Sequence, residues 1–561
     1  MFANLRQTNS SSSSSSPSNR GQAQFSTVVE PSVSVPRLAI VGLGFVLLFA
    51  AIAWRLADLN FTYRGADAVQ RAELRAPSWN ISNLRAPILD RNGELLAANL
   101  NVKSVWVDPR DIIDPDYTAQ QLQLVFPHHS LDWLRAQVTN SSHFRWIERI
   151  VSPQQEQAVR RLGLPGVRFS EESQRFYPKG ELTSHILGYT GLDNIGLSGL
   201  EYSFEELLAN NDEPVYLSLD VRAQHIVAEE LQRAMDDFTA PSGSAVLMDT
   251  NTGEIVSMVS LPSFDPYELG QATEDELFNR ASMGVYELGS IFKVFTLAMA
   301  MEMNGLRPTD QYNVGRPLHI GRWEITDFKP YGPMMTVAEI MARSSNKGTA
   351  QMALEVGAQN QRNFLRDIGL LSEPQFELTQ VGKPGYPLHW GQIHTATVSY
   401  GHGISVSPLQ ATNAFASMIN GGTFRQPTLL RSESGYRPGV QVMEPSTSHD
   451  VTEILRAVVQ DGGTGRNANA VGFDVGGKTG TADVQTAGGY DENRRISSFI
   501  GGFPMHNPQY SLLVVVYDPQ PNEDSYGYAT GGWVAAPAFK RMVERLGPVL
   551  GVQPIEVETE E

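Results

Sequence analysis

The chain reads as a multidomain protein: an N-terminal membrane anchor, an α+β module, and a larger α/β domain whose helices pack on an antiparallel sheet. Three observations predict this. The length of 561 residues exceeds one ordinary core and implies roughly two to four domains. An uncharged apolar run, Leu38 to Trp54, lies near the N-terminus. Strand-like apolar runs stand at both ends of the segment 216–548 with helical stretches between them, the pattern of an antiparallel sheet covered by helices.

Residues 1–36 form a polar tail with a serine run from Ser10 to Ser16, which buries too little apolar surface to order itself. The anchor is placed at 37–57. The 17 residues from Leu38 to Trp54 carry no charge; as a helix they span roughly 26 Å, just short of a ~30 Å hydrocarbon core. Leu56 and Ala57 extend the run and Arg55 can snorkel to the interface. Ala51-Ile52-Ala53 also fits a signal-cleavage site, but the polar lead is too long for an ordinary signal sequence, so the reading is an uncleaved signal anchor. Basic residues flank both sides and orient it weakly; the tail is placed inside and the large domain outside.

Residues 58–215 mix short strand and helix patterns. Asp90-Arg-Asn-Gly93 is a turn ahead of the apolar Leu95–Ala98, and Ser104–Val107 reads as a short strand ending at Asp108-Pro109. In 216–548, Ser244–Met248 and Glu254–Val259 are joined by Asp249–Gly253 as a hairpin. A helix is expected from Ser290 through Met303, strands over Ser497–Gly501 and Ser511–Tyr517, and an amphipathic helix over 532–546. The segment 549–561 is read as an acidic tail, frayed from Val552 onwards.

Composition narrows the chemistry. With 61 acidic against 43 basic side chains and a net charge of -18, nucleic acid is excluded as a partner. The chain has no cysteine, which removes disulfides, thiolate nucleophiles and cysteine metal sites. No HExxH, P-loop or dinucleotide fingerprint is placed between suitable elements, and the 11 histidines lack ligand spacing. No cofactor and no metal are expected.

Three polar motifs carry the candidate site. Ser290-Ile-Phe-Lys293 opens a helix that is apolar on nearly every face and therefore buried. Lys293 lies one turn from Ser290 on the same face, where desolvation favours the neutral amine that a serine nucleophile needs nearby. Ser-x-x-Lys is common in itself, and a second copy runs from Ser344 to Lys347. Ser344 and Asn346 stand between two helical runs, positioned either to relay a proton and hold a substrate amide or simply to cap a helix. Lys478-Thr-Gly-Thr481 reads as a strand entered through a glycine turn. Lys478, Thr479 and Thr481 suit a carboxylate, and Gly480 admits a close backbone approach. The plain alternative is a polar edge strand.

In this order, Ser-x-x-Lys, Ser-x-Asn and Lys-Thr-Gly resemble the penicillin-binding proteins and serine β-lactamases. Asn279-Arg-Ala281 with Tyr286–Lys293, and Gly463-Thr-Gly465 with Gly477–Ala482, are similar to class B penicillin-binding proteins. Asp90–Gly93, Arg175-Phe-Tyr-Pro178 and Gly196–Glu201 resemble their non-catalytic pedestal, a dimerisation-type module. Leu288 replaces a usual proline, and Arg85-Ala-Pro87 stands where Arg-Gly is common. The anchor and the early stop are most similar to the division-specific members.

The resemblance implies a transpeptidase domain of the penicillin-binding, β-lactamase-like fold at 216–548. It implies D-Ala-D-Ala transpeptidation of peptidoglycan stem peptides through an acyl-enzyme on Ser290. Lys293 would carry the proton, Ser344 and Asn346 would relay and orient, and Lys478, Thr479 and Thr481 would bind the terminal carboxylate. The backbone N–H groups of Ser290 and Thr481 would form the oxyanion hole. It also implies β-lactam binding, a single-pass position in the inner membrane with the catalytic domain in the periplasm, an FtsW-like lipid II glycosyltransferase partner and other divisome proteins. An elongation-specific enzyme, a catalytically silent scaffold and a β-lactamase-type hydrolase remain the alternatives.

Overall fold

The computed structural model describes residues 49–50 and 85–555, except 210, 212, 487 and 488. The anchor expected at 37–57 lies outside them apart from Phe49 and Ala50, and among the described residues no helix is long and apolar enough to cross a membrane. The chain divides into two units, 1–79 and 80–561, and the architecture below belongs to the second.

The Asp90–Gly93 turn starts the pedestal. The Asp90 carboxylate accepts the N–H groups of Asn92 (2.7 Å) and Glu94 (2.9 Å), closing the turn between β1 (Ile88–Leu89) and β2 (Leu95–Val107). The two short apolar runs expected here are one 13-residue strand. Its middle, with Asn99, Asn101 and Lys103, looks unlike a strand until its partners are known: β2 pairs with both β3 (Arg145–Val151) and β4 (Val167–Phe176), and Asn99 accepts from Arg175 (3.1 Å). Helices α1 (Pro115–Val125), α2 (Leu131–Val138) and α3 (Pro153–Leu162) cap this sheet; each has proline or leucine at its first position behind an Asp or Ser N-cap. Strand β5 (Val215–Tyr216) pairs parallel to β1, and Leu217 then bonds Leu89 while Ser218 bonds Leu429, so the chain passes from the pedestal sheet directly into the second domain.

The pedestal also holds an ion cluster in which Arg85, Arg175 and Glu201 are fully buried and Glu205 is partly exposed. Arg85 and Arg175 each reach Glu201 at 2.6 Å, and Arg85 also reaches Glu205 at 2.7 Å. Every guanidinium there faces a carboxylate, which makes burial of the charges tolerable.

The second domain begins with α4 (Val221–Asp237) and the hairpin β6 (Ser242–Asp249) and β7 (Ile255–Leu261). Helices α5 (Phe292–Asn304), α6 (Val337–Arg343), α7 (Asn346–Val356), α8 (Pro408–Ile419) and α9 (Pro445–Val458) follow. The sheet is completed by β8 (Gly476–Thr486), β9 (Gly489–Phe503) and β10 (Tyr510–Tyr517), then α10 (Ala535–Leu550). Its order is β8-β9-β10-β6-β7, antiparallel throughout.

Strand β10 shows why its sequence lacks alternation. Leu513, Val515 and Tyr517 pack with α5, α6 and α7 on one face, while Leu512, Val514 and Val516 pack with α4 and α10 on the other. Both faces are buried, so both phases of the period-2 pattern are apolar.

Two boundaries differ from expectation. Ser290 lies in a 3-10 turn, Gly289–Ile291, and the α-helix starts at Phe292. The fraying expected from Val552 is not seen as far as Ile555: α10 runs to Leu550, Val552 is buried, and the Ile555 N–H donates to Gly472 (2.8 Å), while the rest of the acidic tail lies outside the described residues.

Candidate active site

The nucleophile turn is fixed by glycine. Gly289 has φ +55°, and a Cβ there would lie 2.5 Å from the Thr481 carbonyl oxygen, so only glycine lets this turn press against β8. Ser290 follows half-buried, and Lys293 is fully buried in the first turn of α5. Their link is not direct. Lys293 Nζ donates to the Ser344 carbonyl (2.6 Å) and lies 3.0 Å from Ser344 Oγ, which donates to Ser290 Oγ at 3.1 Å.

Ser344 can make that bridge because it caps α6 in the left-handed conformation, φ +62°, turning its side chain back towards α5. Ser345 takes the ordinary cap role for α7: its hydroxyl accepts the Gly348 N–H (3.1 Å) and donates to Asp327 (2.9 Å). The cap reading of this loop therefore applies to its backbone and to Ser345, while the Ser344 hydroxyl belongs to the site. Asn346 opens α7, and its amide donates to the Thr326 carbonyl (3.2 Å). The second Ser-x-x-Lys also finds its explanation, since Lys347 pairs with Asp327 (3.6 Å).

Lys478 is fully buried, which does not fit an ordinary edge-strand lysine even though β8 is at the sheet edge. Its Nζ lies 3.2 and 3.3 Å from the carbonyl and hydroxyl of Thr479. Thr479 Oγ1 donates to Thr464 (3.1 Å), and Thr481 Oγ1 accepts the Gly531 N–H (3.1 Å). The close approach at Gly480 is made by the protein itself: a Cβ would meet Ser498 Oγ at 2.3 Å and the Leu288 carbonyl at 2.5 Å. Gly480 thus lets β8 lie against the nucleophile turn, a reason different from the ligand approach expected of it.

The electrostatics follow from burial. Desolvation pushes the Lys293 amine well below the ordinary lysine range, the nearby Lys478 charge pushes it further, and Asp327 opposes the shift only in part. Desolvation alone brings Lys478 down to about 7. Neither amine has an ion-pair partner among the described residues. A neutral amine joined through one hydroxyl to a serine hydroxyl is equipped for acyl transfer.

Sequence reasoning missed the residues that brace this arrangement. Glu287, three before Ser290, accepts from Tyr490 OH (2.9 Å) and the Gly403 N–H (3.0 Å), and His402 stacks on Tyr490 with ring centroids 4.4 Å apart. Gly401 abuts the Gly289 carbonyl, so this loop backs the nucleophile turn. The only local signal was the pair of glycines around His402; the rest is set by long-range contact. Asp327 was missed for the same reason.

Known proteins share this architecture. The penicillin binding protein transpeptidase domain matches residues 243–544, more than half of the chain, and the penicillin-binding protein dimerisation domain matches 80–236. The chain belongs to the penicillin-binding protein transpeptidase family. Its two-domain build is that of a class B penicillin-binding protein, similar to FtsI. It is 34% identical to the probable peptidoglycan D,D-transpeptidase FtsI of Caulobacter vibrioides, over 84% of this chain and 82% of that one. Identity to the peptidoglycan D,D-transpeptidase FtsI of Escherichia coli K12 is 30%, over 84% and 85%. The fold is shared with penicillin binding protein 3 of Mycobacterium tuberculosis, solved with aztreonam (TM-score 0.67, 24% identity, 84% of this chain and 97% of that one). As a member of this class the chain is a serine-type D,D-transpeptidase.

Proposed function

We propose that this class B penicillin-binding protein crosslinks peptidoglycan stem peptides at the division septum through an acyl-enzyme on Ser290. The observation that carries this reading is the path from Lys293 Nζ through Ser344 Oγ to Ser290 Oγ, with links of 3.0 and 3.1 Å and a fully buried amine at its end.

Neutral Lys293 draws the Ser290 proton through the Ser344 hydroxyl while Ser290 Oγ bonds to the carbonyl carbon of the penultimate D-Ala. The oxyanion is held by the backbone N–H groups of Ser290 and Thr481. The C–N bond then breaks, and the proton returns along the same path to the nitrogen of the departing D-Ala. An amine of a second stem peptide attacks the ester, gives one proton to the Ser290 oxygen through that path, and forms the crosslink.

Lys478 with the hydroxyls of Thr479 and Thr481 receives the terminal carboxylate, whose charge favours the protonated form of an amine that desolvation holds at about 7. Asn346 orients the donor amide. A β-lactam, which presents an amide beside a carboxylate, acylates the same serine; the relative solved with aztreonam supports this.

The apolar run Leu38–Trp54 supports a single-pass anchor in the inner membrane with the catalytic domain in the periplasm. The FtsI relatives support the septal assignment and, with it, an FtsW-like lipid II glycosyltransferase and other divisome proteins as partners.

Labelling the purified chain with a fluorescent penicillin and mapping the labelled peptide tests this. The label is expected on Ser290. A label on Ser344, or none on folded protein, refutes the assignment; the second outcome favours a silent scaffold.

A further inference from the structure

Outside the active site, the fold brings together three side chains with metal-ligand chemistry. We propose that His128, His129 and Glu148, in the pedestal, form a binding site for a divalent cation of zinc type. The two histidines occupy the turn between α1 and α2; Glu148 lies on β3. Both imidazoles point Nε2 at the same carboxylate oxygen, His128 at 2.6 Å and His129 at 2.9 Å, and the three ligand atoms lie within 4.8 Å of one another.

The backbone holds this convergence. Phe126 and Ile147, neighbours of the histidines and of Glu148, are buried in one apolar cluster. The His129 N–H donates to the Phe126 carbonyl (3.2 Å), and Ser130 then caps α2. Trp133 stacks on the His129 ring with centroids 4.3 Å apart and planes 20° apart, fixing its orientation.

Charge points the same way. Glu148 has no lysine or arginine partner among the described residues; its ion-pair contacts are the two imidazoles. Two imidazole nitrogens and one carboxylate oxygen form the three-ligand set that zinc takes with one position left to water. Ligand bonds of about 2.0–2.2 Å in tetrahedral geometry separate the ligand atoms by roughly 3.3 Å. The present contacts need only to open by less than about 1 Å, and His128, more than half exposed, is free to move. Spacing in the sequence hides the site, because the histidines are adjacent and the carboxylate arrives from a strand beyond α2. A bound ion clips the α1–α2 turn to the sheet and stiffens this end of the pedestal.

The test uses the full chain in detergent, stripped with chelator and dialysed against zinc chloride. About one zinc per chain and a rise in Tm with zinc are expected for the wild type. His128→Ala/His129→Ala should lose both effects, and Glu148→Gln should bind about tenfold or more weakly. Circular dichroism without zinc checks that each variant folds. His128→Ala alone, at an exposed position, serves if the double variant does not fold, and it should also bind less zinc. No retained zinc in the wild type, or equal retention in the folded variants, overturns the site.

Discussion

Two regions of this molecule bury charge, and they do so by opposite rules. In the pedestal, Arg85 and Arg175 meet Glu201 and Glu205 at 2.6–2.7 Å, so each buried cation faces a carboxylate. In the active site, Lys293 and Lys478 are as deeply buried, yet neither has a carboxylate partner among the described residues. The nearest candidate, Asp327, is taken up by Ser345 and Lys347. Paired burial makes a rigid and unreactive joint. Unpaired burial holds an amine in its neutral form, at some loss of stability, and leaves it able to take a proton.

Removing the reactive groups should separate activity from stability. Ser290→Ala should abolish labelling by penicillin, and Lys293→Met should slow acylation by about a thousandfold. Both variants should unfold at or above the wild-type temperature, because Lys293→Met removes an unpaired buried amine. Rapid acylation by Lys293→Met would show that the amine is not the base.

The paired cluster should respond in reverse. Glu201→Gln leaves buried Arg175 without a carboxylate and Arg85 with Glu205 alone, with an expected loss of about 3–5 kcal/mol in urea unfolding. Acylation of the protein that remains folded should be unchanged. A loss below about 1 kcal/mol would place the cluster among weak surface pairs.

The pH dependence of stability has a definite sign. Lys478 in the folded chain loses its proton at about 7, whereas the unfolded side chain keeps it to about 10.4. Between those values the unfolded state binds more protons, so this group makes stability rise with pH, by at most about 1.4 kcal/mol per pH unit. Below about 7 its penalty is constant. The stability gap between Lys478→Met and wild type should therefore narrow from pH 7 to pH 10; a constant gap would mean an ordinary lysine.

The smallest effect concerns a positioning residue. Glu287→Gln keeps the shape but weakens the hold on Tyr490 and the Gly403 N–H. Acylation should slow by about tenfold, with penicillin affinity before acylation and Tm both unchanged. A change in affinity instead would move Glu287 into the binding site. Lys540→Ala, on an exposed face of α10, should alter none of these.

The features legible in the sequence were those carried by short-range pattern. The β6–β7 hairpin came from its Asp249–Gly253 turn, and α5 from an apolar stretch in which a lysine is out of place. The three motifs named the residues that the fold brings together. Hidden were features set by distant partners. The polar middle of β2 is a strand only because β3 and β4 flank it. The bridging position of Ser344 depends on a left-handed cap, and the role of Gly480 depends on Leu288 and Ser498. Glu287 gains its meaning from Tyr490, some two hundred positions away.

The most direct measurement of the unpaired-amine claim is an NMR titration of the chain with 13C-labelled lysine side chains. Only eight lysines are present, and Lys293→Met and Lys478→Met assign the two that matter. Lys478 should titrate at about 7, and Lys293 should likewise titrate far below the remaining lysines. If both titrate with the surface lysines, above pH 10, the proposed proton path has no base.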